Sequence, residues 1–261
     1  MTINFSKYQG TGNDFVMIDD REGTFPHANQ ALVERLCHRR FGIGADGLIL
    51  LQNDPDHDFR MVYFNADGAE GSMCGNGGRC IARFAHDLGL FESETRFRAV
   101  DGEHIAVVCE EDIFLQMSDV AGIGQRNGLM FLDTGSPHVV RFVDNLESLD
   151  VVAEGRAIRY DAIFPGGTNV NFVQVLDENT LLVRTYERGV EDETYSCGTG
   201  VTAVALVAHQ QLAMPDPVFI QTMGGNLRVS FNPPTDGGNS YFINIYLIGP
   251  AQRVFAGTIT V

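Results

Sequence analysis

The amino-acid sequence predicts a mixed α and β protein made of two similarly built halves. Three observations carry that expectation. Strand-like and helix-like segments alternate along the 261 residues, and 29 glycines punctuate them as turns. One short motif also occurs twice in the same context, at Cys74-Gly75-Asn76-Gly77 and at Cys197-Gly198-Thr199-Gly200.

From the N-terminus, residues 15–19 read as a strand, rich in aromatic and β-branched side chains. Residues 29–40 set Leu32, Leu36 and the Val33/Cys37 pair at helical spacing. Strands follow at 48–52 and 58–64, and the first Cys-Gly-x-Gly opens a helix of small residues at 77–88. Strands at 104–110, 113–117, 171–176 and 180–186 precede the second Cys-Gly-x-Gly, which opens a helix at 200–212. A last strand falls at 241–248. A weaker echo pairs Gly12-Asn13-Asp14-Phe15-Val16 with Thr168-Asn169-Val170-Asn171-Phe172-Val173, each an asparagine turn running into a Phe-Val strand. Two matched halves facing each other would bring matched loops to one cleft.

A hydrophobic content of 44% is enough to build real cores at this length. The net charge of −16 argues against nucleic acid as a partner, because such proteins concentrate Lys and Arg. Residues 1–10 contain no apolar leader, and the longest apolar run, 201–208, is too short to span a bilayer. No membrane association is expected, and a cytoplasmic location is the default. Five cysteines without regular spacing suit reduced thiols. Cys37, Cys80 and Cys109 are read as packing residues, and no metal-binding spacing is present.

The chemistry lies in the repeated motif. A glycine-rich loop entering a helix turns the first N–H groups outward at the positive end of the helix dipole, which holds an anion such as a carboxylate. A cysteine at that position has its thiolate favoured. Either motif alone is equally well read as a small buried residue at a turn, but their repetition favours a pair. One thiolate and one thiol on opposite faces of a carbon acid meet the needs of a two-base racemase, in which one removes the α-proton and the other returns one. Glu187-Arg188, at the end of a strand and shortly before Cys197, adds both signs of charge. The acidic run Glu191-Asp192-Glu193 reads as a solvated loop, and the Gly10-Thr11-Gly12 and Gly42-Ile43-Gly44 runs lack the full nucleotide-binding fingerprint.

The chain resembles the diaminopimelate epimerases along essentially its whole length. The resemblance rests on residues 5–15 (FSKYQGTGNDF), Gly42 to Gly47, Phe64-Asn65-Ala66-Asp67-Gly68, both Cys-Gly-x-Gly motifs, Asn169 with Phe172-Val173, and Glu187-Arg188-Gly189, all in the family's order. It implies two pseudo-symmetric domains, each a curved, mostly antiparallel sheet around a central helix, at 1–117 plus 250–261 and at 118–249. It implies conversion of LL- to meso-2,6-diaminopimelate in lysine and peptidoglycan precursor synthesis, with no cofactor, neither pyridoxal phosphate nor metal. By the same resemblance Cys74 donates and Cys197 accepts the proton in the LL direction. Gly75-Asn76 and Gly198-Thr199 bind the reacting carboxylate, while Asn13, Asn65, Asn169, Glu187 and Arg188 hold the distal head. A homodimer is the family's expectation.

Two positions depart from the family pattern. Ser136-Pro137-His138 stands where many members have Asn-Pro-His, and Gly47 where some have Gln. Ser136 then supports the distal contact through a hydroxyl, and His138 is either a proton relay or a structural residue. Rival readings are a proline or hydroxyproline racemase, a phenazine-type isomerase, a thiol-disulfide protein and a non-catalytic amino-acid-binding module.

Overall fold

The computed structural model describes residues 1–233 and 241–261. The chain divides into two compact units, Met1–Leu115 with Gly249–Val261 and Gln116–Ile248. Unit 1 runs β1 (Thr2–Gly10), β2 (Asn13–Asp19), α1 (Gln30–Cys37), β3 (Gly47–Gln52), β4 (Phe59–Asn65), α2 (Gly75–Asp87), β5 (Glu94–Ala99), β6 (Gly102–Cys109) and β7 (Asp112–Gln116). Unit 2 continues with β8 (Val120–Ala121), β9 (Gly124–Arg126), β10 (Leu129–Asp133), β11 (Pro137–Phe142), α3 (Val151–Arg159), β12 (Asn169–Val175), β13 (Thr180–Glu187), β14 (Asp192–Thr194), α4 (Gly198–Leu212), β15 (Val218–Thr222), β16 (Gly225–Asn232) and β17 (Tyr241–Pro250). Strand β18 (Gln252–Thr260) returns to unit 1 against β1.

The units repeat one topology element by element. In unit 1 the strands lie in the order β18-β1-β2-β3-β4-β5-β6-β7, and in unit 2 the order is β9-β10-β11-β12-β13-β15-β16-β17. All neighbours are antiparallel except two parallel pairs per unit. The pairs β2/β3 and β11/β12 are each bridged by a short helix, α1 or α3. The pairs β4/β5 and β13/β15 are bridged by α2 and α4. A parallel pair needs such a crossover, so the two longer helices are placed by connectivity.

Strands at or near both ends of each order touch the same helix. Helix α2 packs on β18, β1, β2, β3 and β6, and α4 on β10, β11, β12, β15 and β16. Each sheet therefore curves around its helix. Alternation along β2 and β3 sends Val16, Ile18, Leu48 and Leu50 to the opposite face, where they meet Val33, Leu36 and Cys37 of α1. Val170 and Phe172 of β12 do the same beneath α3. The central strands are thus buried on both faces, which is why they read as nearly continuous apolar runs.

Helix α1 ends at Cys37, earlier than its periodicity suggests, because the chain folds back on the helix end. Ile43 and Ala45 donate backbone hydrogen bonds to the carbonyls of Leu36 and Cys37. A Cβ at Gly42 would lie 1.9 Å from the Arg35 carbonyl oxygen, so this glycine serves a close backbone approach. Gly10-Thr11-Gly12 forms the β1-β2 hairpin, with Gly10 paired to Asn13 and positive φ at Thr11 and Gly12.

The topology corrects the weaker sequence echo. Strand β2, which Asn13 opens, corresponds to β11, whereas β12, which Asn169 opens, corresponds to β3. In the parallel pairs Phe15 lies beside Gly47 and His138 beside Asn169, so Phe15 matches His138 and Gly47 matches Asn169. The likeness of the two stretches reflects a shared local need, a polar turn entering a buried strand, at non-equivalent places. Two smaller readings also change. Cys109 is exposed rather than packed. The acidic run is not a free loop: Glu193 forms a two-pronged ion pair with Arg184 at 2.6 and 2.7 Å, and Glu191 accepts from Arg159.

Candidate active site

Each cysteine of the repeated motif is the N-cap residue of its unit's central helix. Cys74 precedes α2 with φ −117° and ψ 122°, and Cys197 precedes α4 with φ −119° and ψ 112°. Neither side chain caps its helix, so both sulfurs are left for other partners. The extended conformation of the cap and the helical one of the next residue aim the first-turn N–H groups past the cysteine. The two copies of the motif, continuing as Gly-Asn-Gly-Gly and Gly-Thr-Gly-Val, thus build one local geometry.

In unit 1 the half-buried Cys74 donates through Sγ to Asn13 Oδ1 at 3.6 Å. Asn13 Nδ2 donates to Asp46 Oδ2 at 2.7 Å, and a carboxylate can only accept, so the Asn13 oxygen is the atom turned toward the thiol. Asn76 Nδ2 reaches the same oxygen at 3.4 Å. Asp46 is in turn anchored by Arg39 at 2.5 Å, and Arg39 also holds Asp14. Asn65, at the end of β4, is exposed.

Beneath Asn76 lies Arg79, fully buried in the first turns of α2. Its hydrogen-bond acceptors are neutral: Thr11 Oγ1, Asn76 Oδ1 and the carbonyls of Gly75 and Pro250. Burial lowers its pKa, against the pull of Cys80, Cys74 and Asp112. Cys80 shares this interior, and desolvation pushes its thiol up to about 12. Cys37 is pushed equally high by burial, so neither thiol is ionised near neutrality.

In unit 2 Cys197 is buried, and its Sγ lies 3.5 Å from Thr199 Oγ1. Thr199 Oγ1 is 2.9 Å from His138 Nε2 and 3.2 Å from Ser136 Oγ, while Ser136 Oγ is itself 2.9 Å from His138 Nε2. Asn169 Nδ2 donates to Ser136 Oγ at 3.2 Å, and Asn169 Oδ1 accepts from the backbone of Arg188 at 2.8 Å. Glu187 Oε2 accepts from Thr194 Oγ1 at 2.9 Å. Arg188 is exposed, with one guanidinium nitrogen 3.5 Å from the Gly166 carbonyl. His138 is wholly buried; desolvation, then the Arg188 charge, lowers its pKa to about 3.

Among the residues named from sequence, unit 1 gathers Cys74, Gly75, Asn76 and Asn13 into one connected cluster. Unit 2 gathers Cys197, Gly198, Thr199, Ser136, His138, Asn169 and Arg188 into another. Asp46, Arg79 and Asn171 went unassigned although each left a signal. Asp46 lies inside a quoted motif, Arg79 is a charge set among small and apolar residues in the first turns of its helix, and Asn171 repeats Asn169 two positions on, hence on the same face of an apolar strand.

Comparison with known proteins sets this geometry in a family. The family model for diaminopimelate epimerase matches residues 5–120 and 130–254. A diaminopimelate epimerase of Flavobacterium psychrophilum is 52% identical over 256 residues, covering 97% of this chain and 98% of that protein. One of Chlorobaculum tepidum is 44% identical over 264 residues, covering 96% and 99%. Among solved structures, a phenazine biosynthesis protein of the PhzF family from Bacillus anthracis aligns over 100% of both chains with TM-score 0.77 at 16% identity. A hydroxyproline epimerase from Agrobacterium vitis aligns over 99% of this chain and 92% of its own with TM-score 0.67 at 12% identity. Those two likenesses concern the fold, which recurs across different activities. The sequence matches run through both units and both cysteine motifs, and the chain accordingly belongs to the diaminopimelate epimerase family.

Proposed function

We propose that this protein interconverts LL- and meso-2,6-diaminopimelate, an isomerase reaction, with Cys74 and Cys197 as its two acid–base groups and without a cofactor. Membership of the family supports the substrate and reaction class. The observation that carries the mechanism is the duplicated helix start, a cysteine at the N-cap of each central helix whose side chain does not cap it.

In the LL direction the Cys197 thiolate takes the α-proton, becoming a thiol. The electron pair of the broken C–H bond delocalises into the α-carboxylate. The Cys74 thiol then delivers its proton to the opposite face of the carbon and becomes a thiolate. The enzyme is left with its two protonation states exchanged, ready for the reverse direction and reset through solvent. The N–H groups of Gly75-Asn76 and Gly198-Thr199 would receive the charge developing on the carboxylate, each group fixed in place before reaction by its helix. The distal head carries both charges, and Glu187 with Arg188, aided by Asn13, Asn65, Asn169 and Ser136, supplies complementary ones. Holding that head fixes which stereocentre reaches the thiols.

The same reading takes the protein as a cytoplasmic homodimer. No described helix is long and apolar enough to cross a membrane. Light scattering checks the dimer.

The chemical test is solvent exchange. With LL-diaminopimelate in deuterated water, deuterium enters the α-position with inversion, followed by NMR. Cys74→Ala and Cys197→Ala each abolish inversion. Inversion surviving in either variant would falsify the two-thiol mechanism. Equal turnover of proline or hydroxyproline would overturn the substrate assignment.

A further inference from the structure

We propose that Asn171 is a positioning residue for Cys197: by fixing the tautomer of His138 it forces the Thr199 hydroxyl to donate its proton to the Cys197 sulfur. The proposal rests on Cys197 being the reaction's base, as argued above, and adds a residue that does not itself touch substrate.

The argument is a count of protons. Asn171 Nδ2 donates to the Val139 carbonyl at 2.9 Å, and Asn171 Oδ1 accepts from Thr185 Oγ1 at 3.0 Å. A carbonyl can only accept, so the amide orientation is set. The same Nδ2 lies 3.1 Å from His138 Nδ1, which must therefore accept. His138 is neutral, so its single ring proton is on Nε2. Nε2–H points at Ser136 Oγ and Thr199 Oγ1, both at 2.9 Å, and both hydroxyls receive it.

Each hydroxyl has one proton to give and two lone pairs. Ser136 Oγ accepts from His138 and from Asn169 Nδ2, which leaves its proton for Thr199 Oγ1 at 3.2 Å. Thr199 then accepts from both Ser136 and His138. Its own proton has one remaining partner in this cluster, Cys197 Sγ at 3.5 Å. A donor held against a sulfur stabilises the thiolate over the thiol. Unit 1 is wired the other way, since Asn13 offers an acceptor to Cys74.

The comparison between units shows that packing alone does not require this network. By register, His138 matches Phe15 and Asn171 matches Ile49, both fully buried apolar residues. The glycines agree: a Cβ at Gly77 would meet Ile49 Cδ1, and a Cβ at Gly200 would meet Asn171 Oδ1. The same fold position is therefore filled by Phe and Ile in one unit and by His and Asn in the other. Burying two polar side chains where apolar ones fit costs stability unless the hydrogen bonds serve another end.

The charged and titratable groups around His138 are few. Arg188 acts on it from the end of β13, and α4 brings Cys197 through Thr199. Strand β12 contributes the neutral Asn169 and Asn171, and β10 sets Leu132 opposite. Asp133, one step further along β10, is exposed and accepts from the Gly135 backbone.

The test measures thiolate directly. Wild type and Asn171→Leu are alkylated with iodoacetamide from pH 5 to 10, and the rate at Cys197 and at Cys74 is read by peptide mass mapping. Expected is a rise of about one unit in the Cys197 midpoint, hence about a tenfold slower reaction at pH 7, with Cys74 unchanged. The kcat in the LL direction should fall about tenfold at pH 7 with KM within twofold, and recover toward alkaline pH. A Cys197 midpoint that stays put in folded Asn171→Leu overturns the proposal. If that variant does not fold, Thr199→Val and Thr199→Ser decide: valine must reproduce the midpoint shift and serine must restore it, and a valine variant that alkylates like wild type overturns the proposal. Loss of inversion in Cys197→Ala together with an unmoved midpoint removes only the Asn171 role. Inversion that persists in Cys197→Ala removes the two-thiol reading itself.

Discussion

Burial holds His138 neutral, and this ties the stability of unit 2 to pH. Its pKa is about 3 in the folded protein against an ordinary 6.5, with desolvation the main cause and Arg188 the second. Between those values the unfolded chain binds the extra proton and the folded one does not. This contribution is therefore complete above pH 6.5 and is lost as pH falls toward 3, by up to ~1.4 kcal/mol per pH unit. Urea melts of wild type and His138→Gln across pH 4 to 7 should show a shallower decline in the variant; parallel lines would mean the group is not held neutral. The tautomer of such a histidine belongs to its neighbours. Nothing in the string Ser136-Pro137-His138 reveals that Asn171, 33 residues away, faces Nδ1.

The helix starts are where the two units are most alike and where they separate. A Cβ at Gly200 would stand 2.4 Å from Asn171 Oδ1 and 3.3 Å from Cys197 Cβ, and Asn171 is held in place by its hydrogen bonds to Val139 and Thr185. Gly200→Ala is expected to cost about 1–3 kcal/mol and, by displacing Asn171, to slow turnover at least tenfold. At Gly77 the nearest atom is Ile49 Cδ1 at 3.1 Å, the mobile end of an apolar side chain. Gly77→Ala should change stability by no more than about 1 kcal/mol, since alanine favours the helix by a similar amount. Thermal melts and initial rates of the pair check the contrast. Helix α3 offers a simpler measurement: Asp150 Oδ1 accepts from the Ala153 backbone as its N-cap, so Asp150→Ala should cost about 1 kcal/mol without changing turnover. These starts were legible because glycine, cysteine and small apolar residues have few other reasons to occur in that order. Helix α3 was not: Val151–Arg159 is short, mostly exposed and contains Gly155, which lies 2.4 Å from Tyr186 when given a Cβ.

At the scale of the molecule, a net charge of −16 makes the folded chain repel itself. Raising salt from about 10 mM to about 150 mM shortens the Debye length from ~30 to ~8 Å, and the melting temperature should rise; a fall would mean that ion pairs such as Arg184–Glu193 outweigh the repulsion. The duplication itself is a whole-chain property. The sequence alone determined that the chain is mixed α and β, that two cysteines open two matched helices, and that their order with Glu187-Arg188 and the asparagine motifs resembles one family. Those features are local, being set by helix starts, turn residues and alternation within a few positions. Strand correspondence was decided only by tertiary structure, because which strand lies beside which depends on crossovers and long-range pairing that local pattern does not encode. That is why Asn13 and Asn169 read as equivalent and are not. The donor and acceptor wiring was decided there too. A hydroxyl, an amide and an imidazole can each present either polarity, and only the side chains packed around Cys74 and Cys197 choose which one each sulfur meets.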